Sequence, residues 1–206
     1  MAARPRRLRA SCGARRALAR AACTLLFLIA PVAAANAQAV APPPAATPLA
    51  NQRTPLPGIW TGGAPKSIDG IPAVAGLGVR TFVDLRAGAE TAPEVRAAVE
   101  AAGMAYEPLP IAGEADLDLA AARALDALLD DPARYPLAIV CASGNRSGAL
   151  LAVEGFWLDG RPAEEALGLG RSAGLTRLEP SVRLLLGLPP AAAPTAAPAA
   201  ASAPSP

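Results

Sequence analysis

Apolar residues in the middle of this chain recur with two different periods, two and between three and four, and the periods take turns. The alternation predicts strands interleaved with helices. Ile59-Trp60-Thr61 reads as a short first strand, and a weak helix near Ile71–Leu77 is confined by Gly70 and Pro72. Val79–Leu85 predicts a strand, with Thr81, Phe82 and Val83 suited to a pleat. Thr91-Ala92-Pro93-Glu94 has capping-box spacing, and Val95, Val99 and Ala102 then share one helical face until Gly103 stops it. Tyr106–Ile111 is a strand interrupted by prolines, hence short or at an edge. Leu117, Ala121, Leu125 and Leu128 mark an amphipathic helix that ends at Pro132. Leu137–Cys141 is a continuous apolar run of strand length, followed by a tight loop and a helix reaching about Leu158. Gly160, Pro162, Gly174 and Pro180 punctuate two closing helices.

The fold class this order predicts is α/β: a single compact domain with a small, mostly parallel sheet flanked by helices. Ligands of such sheets lie beyond the carboxyl ends of the strands, and Cys141 falls at such an end.

The flanks carry no such pattern. Residues 1–37 read as a secretory signal peptide, basic first, apolar from Ala21 through Ala30, then small up to Ala35-Asn36-Ala37. The apolar run is shorter than the roughly 20 residues a membrane span needs, so no membrane association is expected after cleavage. Residues 38–56, with Pro42-Pro43-Pro44, read as an extended Pro/Ala-rich linker, and residues 188–206 as a disordered Ala/Pro/Ser tail. The folded domain is then expected over 57–187, in an exported protein, periplasmic or secreted.

Charge changes the picture once the flank is set aside. Seven arginines lie in the first twenty residues, among them Arg4, Arg15 and Arg20, with no acid beside them. The remainder holds 12 of the 19 Lys and Arg against 17 Asp and Glu, a net of −5. A domain of that sign with no basic stripe is not expected to bind nucleic acid. The chain contains no histidine. That excludes His-ligated zinc, a Ser-His-Asp triad and a papain-like Cys-His pair, and no metal or cofactor is implied. Of the three cysteines, Cys12 and Cys23 fall in the signal segment, which leaves Cys141 alone and without a disulfide partner.

Candidate chemistry gathers in Val140-Cys141-Ala142-Ser143-Gly144-Asn145-Arg146-Ser147-Gly148. A cysteine between a strand and a helix start faces unpaired backbone N–H groups and the positive end of the helix dipole. Both favour its thiolate, and with no base available the ionised sulfur must owe its charge to them and to Arg146. Arg146 adds a planar fork of donors for an oxyanion. The candidate catalytic residues are Cys141 and Arg146, with Ala142, Ser143, Gly144, Asn145 and Ser147 as the candidate anion-binding loop. Gly144 fits a backbone angle that other residues resist.

This loop resembles that of the bacterial beta-lactamase-hydrolase-like, protein-phosphatase-like family, a relative of the tyrosine and dual-specificity phosphatases. Thr61-Gly62-Gly63-Ala64-Pro65, Thr81-Phe82-Val83-Asp84-Leu85-Arg86, Leu109-Pro110-Ile111 and Gly170-Arg171-Ser172-Ala173-Gly174-Leu175-Thr176 extend the resemblance over the whole domain. It implies a cysteine-phosphatase-like fold, a strand–Cys loop–helix active site, and a cysteine-dependent hydrolase acting on a small phosphorylated molecule or a phosphoprotein. Two departures stand out: Val140 occupies the position where relatives commonly carry histidine, and four residues, not five, separate Cys141 from Arg146.

Three readings follow. In the first, the Cys141 thiolate attacks phosphorus and forms a phosphocysteine that water hydrolyses. Ser147 would then steady the departing thiolate, and Glu114, Asp116 or Asp118 would supply the proton, with Asp116 the choice; an N-cap role competes for Asp116 and Asp118. Asp84 and Arg86 end a neighbouring strand and could reach the same crevice. In the second reading Cys141 carries a persulfide in a rhodanese-like sulfurtransferase, which the shorter loop favours. In the third the loop is a weakly active module that captures a small oxyanion.

Overall fold

The structure is a computed structural model and describes residues 47–191. The expected signal segment, residues 38–46 of the expected linker and most of the expected tail lie outside the described residues. Five strands form one sheet: β1 (Ala50–Leu56), β2 (Ile59–Gly63), β3 (Thr81–Asp84), β4 (Ala105–Pro108) and β5 (Leu137–Cys141). Their order is β1-β2-β5-β3-β4, with β1 antiparallel to β2 and every other pair parallel. Six α-helices cover the sheet: α1 (Ile71–Ala75), α2 (Val95–Ala101), α3 (Leu119–Leu129), α4 (Asn145–Trp157), α5 (Ala163–Ser172) and α6 (Glu179–Leu185).

Strand β5 lies at the centre because its residues suit burial on both faces. Leu137, Ile139 and Cys141 point into one apolar layer with α3, α4, α5 and α6, while Ala138 and Val140 point into a second with α1 and α2. Val140 therefore sits in hydrocarbon, fully buried on the face away from α4. Helix α4 continues directly from the β5 loop and is buried on every side from Asn145 to Gly155. Its middle, Gly148 to Val153, carries no polar side chain, as suits a helix segment enclosed in a core. Each of Leu150, Leu151 and Val153 contributes about 1.5–3 kcal/mol by leaving water.

The structure departs from the expected pattern at three places. Residues 50–56 form β1, not linker, turning into β2 through Gly58 at φ 73°. Pro55, a largely exposed surface and two irregularities in register erase the alternation that marks a strand. The Thr91 capping box does not form: α2 starts at Val95 and Glu94, its N-cap residue, makes no side-chain cap, while the buried Thr91 hydroxyl has no partner among the described residues. At the other boundary, Leu188 packs on the core and the Pro189 carbonyl accepts from Arg183 Nε at 2.6 Å, so ordered packing runs past 187. Asp118 caps α3 by accepting from the Ala121 amide at 2.8 Å.

Gly148 and Gly170 set how closely α4 and α5 approach. A Cβ on Gly148 would lie 2.3 Å from the Leu175 amide nitrogen and 2.5 Å from the Gly170 carbonyl oxygen, and neither can swing aside. Gly168, exposed on α5, has open space around its missing Cβ. Gly148→Ala is expected to lower the free energy of unfolding by about 3 kcal/mol, the cost of overpacking against backbone. Gly168→Ala is expected to raise it by about 0.5–1 kcal/mol through helix propensity. Urea unfolding of both variants checks the pair; a harmless Gly148→Ala would contradict the close approach.

Candidate active site

Cys141 ends β5, and the chain then makes the turn that starts α4. Gly144 is the N-cap at φ 96°, a left-handed angle that a side chain would strain. Its Cα side faces β2, where an added Cβ would come within 3.3 Å of the Gly62 Cα. Gly63 is equally constrained, because a Cβ there would meet the Ala142 carbonyl oxygen at 2.6 Å. The Gly62-Gly63 pair thus lets the cysteine loop lie against the neighbouring strand. Ala64 N–H donates to the Cys141 carbonyl at 2.8 Å and Asn51 Nδ2 to the Ser143 carbonyl at 3.2 Å, so β1 and β2 hold the loop from one side.

The turn aims amides at the sulfur. Gly144 N–H lies 3.0 Å from Cys141 Sγ. Burial pushes the thiol up, and the amides of Ser143, Ser147, Arg146 and Gly144 together more than offset it, leaving the thiol below its ordinary value. The sulfur is recessed, with the residue only 1 % exposed, so the loop and not the cysteine forms the surface.

Arg146 lies in the first turn of α4, and its guanidinium is held at two nitrogens. Nη1 donates to the Ile111 carbonyl at 2.7 Å and Nη2 to Glu90 Oε2 at 2.6 Å. Each terminal nitrogen keeps one further hydrogen and Nε keeps its own, so three N–H groups remain to meet an oxyanion. Glu90, Ala112, Gly113, Ala142, Asn145, Arg146, Arg177 and Leu178 line a cleft of about 310 Å³.

The structure sorts the other sequence candidates. Ala142 lines the cleft and Ser143 supplies an amide. Asn145 also lines it, but its Oδ1 accepts from Thr176 N–H at 2.8 Å, Thr176 Oγ1 at 3.1 Å and Leu178 N–H at 3.2 Å. Through that oxygen the Asn145 side chain clamps the 176–178 loop. Ser147 is fully buried and its hydroxyl has no hydrogen-bond partner among the described residues.

The expectation of Asp116 as proton donor is not supported by its placement. Its Oδ2 accepts from the amides of Ala112 at 2.6 Å and Gly113 at 3.3 Å, and it does not line the cleft. A carboxylate spent on two amides holds a loop in shape. Asp118 caps α3, and Glu114 accepts from the Ser181 hydroxyl. Asp84 and Arg86 pair with each other, at 2.9 Å and 2.7 Å, and Tyr106 Oη donates to the same Asp84 carboxylate at 3.2 Å. The Asp84 partner raises the Arg86 pKa. Arg86 lines a separate cleft of about 270 Å³ that shares Glu90 with the first.

Two residues escaped the sequence reading. Glu90 lies in the loop after β3, 56 positions before the arginine it holds, and no periodicity marks it. Arg177 lies at the rim, exposed and in no ion pair among the described residues. Its signal was only an arginine in the segment that Asn145 pins.

No protein-family model matches the sequence, and no curated protein is significantly similar to it. Solved structures are similar in shape. A protein from Shewanella putrefaciens CN-32 assigned as a phosphatase superposes with a TM-score of 0.54 at 16 % identity, over 68 % of this chain and 90 % of its own. One from Neisseria meningitidis z2491, assigned likewise, gives 0.54 at 19 % identity over 65 % and 94 %. The core catalytic domain of the PP-IP phosphatase Siw14 from S. cerevisiae gives 0.50 at 17 % over 67 % and 85 %. The fold is that of the cysteine phosphatases. At these identities the likeness is one of architecture, and within the cysteine-phosphatase fold it is the local geometry of this chain that decides the chemistry.

Two outcomes are expected from this geometry. The rate of Cys141 alkylation by iodoacetamide, followed against pH, should show a midpoint below the roughly 8.5 of a free thiol; a midpoint at or above that value would mean that burial outweighs the amides. Glu90→Gln should bind inorganic phosphate a few-fold more tightly by calorimetry, because a competing negative charge leaves Arg146. Unchanged affinity would place the anion away from that guanidinium.

Proposed function

We infer that this chain is a cysteine-dependent phosphatase that passes through a phosphocysteine. The observation that carries the reading is the Cys141 sulfur, 3.0 Å from the Gly144 amide, beneath a cleft into which a doubly held Arg146 presents its remaining donors. Phosphoryl transfer needs a nucleophile in line and donors placed where negative charge spreads. The thiolate attacks phosphorus, the P–O bond to the leaving group breaks, and the amides of Ser143, Gly144 and Arg146 with the Arg146 guanidinium take the equatorial oxygens. Water then attacks the phosphocysteine, and sulfur leaves as thiolate into the same amides. In this reading the buried Ser147 hydroxyl, which has no partner among the described residues, turns to donate to that thiolate.

The proton balance favours a particular class of ester. Glu90 is held by Arg146 and Asp116 by two amides, so neither is a free acid in the cleft. Leaving groups that depart without full protonation, such as phenolates, suit this site better than alkoxides. Arg177 at the rim favours a substrate with a second negative group near the phosphoryl. The basic-then-apolar order of residues 4–30 supports export of the enzyme.

The four-residue spacing between Cys141 and Arg146 keeps the sulfurtransferase as a second reading, since a smaller amide ring suits a persulfide. One assay pair separates them. The purified chain is expected to release phosphate from an aryl phosphate at least tenfold faster than from an alkyl phosphate. Cys141→Ser should abolish that release, and Asp116→Asn should leave it within about threefold. Thiocyanate formation from thiosulfate and cyanide, with no phosphate release, would replace the phosphatase reading by the sulfurtransferase; silence in both assays would leave an anion-binding module.

A further inference from the structure

Helix α4 carries the cysteine loop at its first turn and a different chemistry at its last. Glu154, in that last turn, is 2 % exposed, and no hydrogen-bond donor meets its carboxylate among the described residues. A carboxylate oxygen of Glu154, one of Asp126 on α3 and one of Asp159 in the loop after α4 all lie within 4.8 Å of one another. Among the described residues Arg161 is the one cation bonded to the group, through Asp159 at 2.9 Å and 3.1 Å, and it makes no hydrogen bond to Glu154. The carboxyl end of α4 adds its own partial negative charge. Three carboxylates, one of them buried without a donor, therefore face one another against a single guanidinium already engaged elsewhere.

An unpaired buried carboxylate is costly, and either a proton or a metal ion can neutralise it. We propose that Asp126, Glu154 and Asp159 form a site for a hard divalent cation, Ca²⁺, that ties α3 to the carboxyl end of α4. An all-carboxylate donor set selects a hard cation over zinc or copper. Ca²⁺ accepts six to eight oxygens in a flexible geometry, which suits side chains from two helices and a loop, whereas Mg²⁺ demands a near-ideal octahedron and gives up its waters reluctantly. Three carboxylates supply up to six oxygens, and the exposed side of Asp159 leaves room for water to complete the shell. Without a cation, burial first and then Asp159 and Asp126 push the Glu154 carboxyl up to about 7. The site is independent of the chemistry at Cys141, since it lies at the opposite end of α4.

The test is a thermal melt of the purified chain, stripped with chelator and held at pH 8, where Glu154 is ionised. With a dissociation constant of about 0.1–1 mM, the range of open carboxylate sites, 10 mM Ca²⁺ should raise the midpoint by about 3–10 °C. Mg²⁺ at the same concentration should raise it less. Glu154→Gln should melt no lower than the wild type without metal, because it removes a buried charge, and should lose the Ca²⁺ response; Asp159→Asn, at an exposed position, should weaken it. A wild-type midpoint unmoved by 10 mM Ca²⁺ overturns the proposal, as does an equal shift in Glu154→Gln. A Mg²⁺ shift as large as that of Ca²⁺ overturns the choice of ion.

Discussion

The structure depends on a turn that lets backbone amides converge on one sulfur. Burial alone would keep the Cys141 thiol protonated, and what reverses the sign is a set of fixed peptide dipoles, not a neighbouring base. With no histidine in the chain, the sulfur has no base to lose its proton to. Fixed dipoles work only if they cannot reorient, and three devices prevent that. Gly144 takes the left-handed angle, Gly62 and Gly63 let β2 press against the loop, and α4 is sealed in the core behind it. The apolar layers contribute to the chemistry by leaving this turn no other conformation.

Arg146 poses the reverse problem. Its side chain is only 10 % exposed, and a guanidinium that far from water needs partners in every state of the protein. The Ile111 carbonyl and Glu90 answer that need, and they also fix the plane in which the remaining N–H groups point. Glu90 therefore has two opposed effects. It positions the arginine, and its charge competes with any anion for the same guanidinium. A neutral Gln in its place separates the two, since it keeps a hydrogen-bond acceptor and removes the repulsion.

How much of this was legible in the sequence follows from the range over which each interaction acts. The strand, the cysteine turn and α4 are contiguous, and their signals (an apolar run of strand length, a glycine, an apolar helix) sit within a few residues of one another. The capping of α3 by Asp118 was readable for the same reason. Glu90 was not, because its partner lies 56 residues away and an exposed-looking Ala-Gly-Ala-Glu stretch has no period. Asp116 misled in the opposite way: it lies in the right loop, yet its carboxylate is consumed by amides only three and four residues back. Strand β1 was read as linker because it carries Pro55 and buries little, so the feature that identifies it is its partner β2 and not its own pattern.

Helix α4 joins these threads, because its polarity is used at both ends. At the amino end unpaired N–H groups favour an anion, and the chain places Cys141 and the cleft lined by Arg146 there. At the carboxyl end the dipole favours a cation, yet the chain places Glu154, Asp126 and Asp159 there, which the dipole destabilises. A buried charge that opposes the local field has to be neutralised, by a proton or by a cation. A proton compensates Glu154 alone, whereas a divalent ion compensates all three carboxylates and the helix end together. On that count the acidic end of α4 is better explained by a bound cation than by a neutral acid, and the helix that presents the sulfur would be anchored at its far end by an ion.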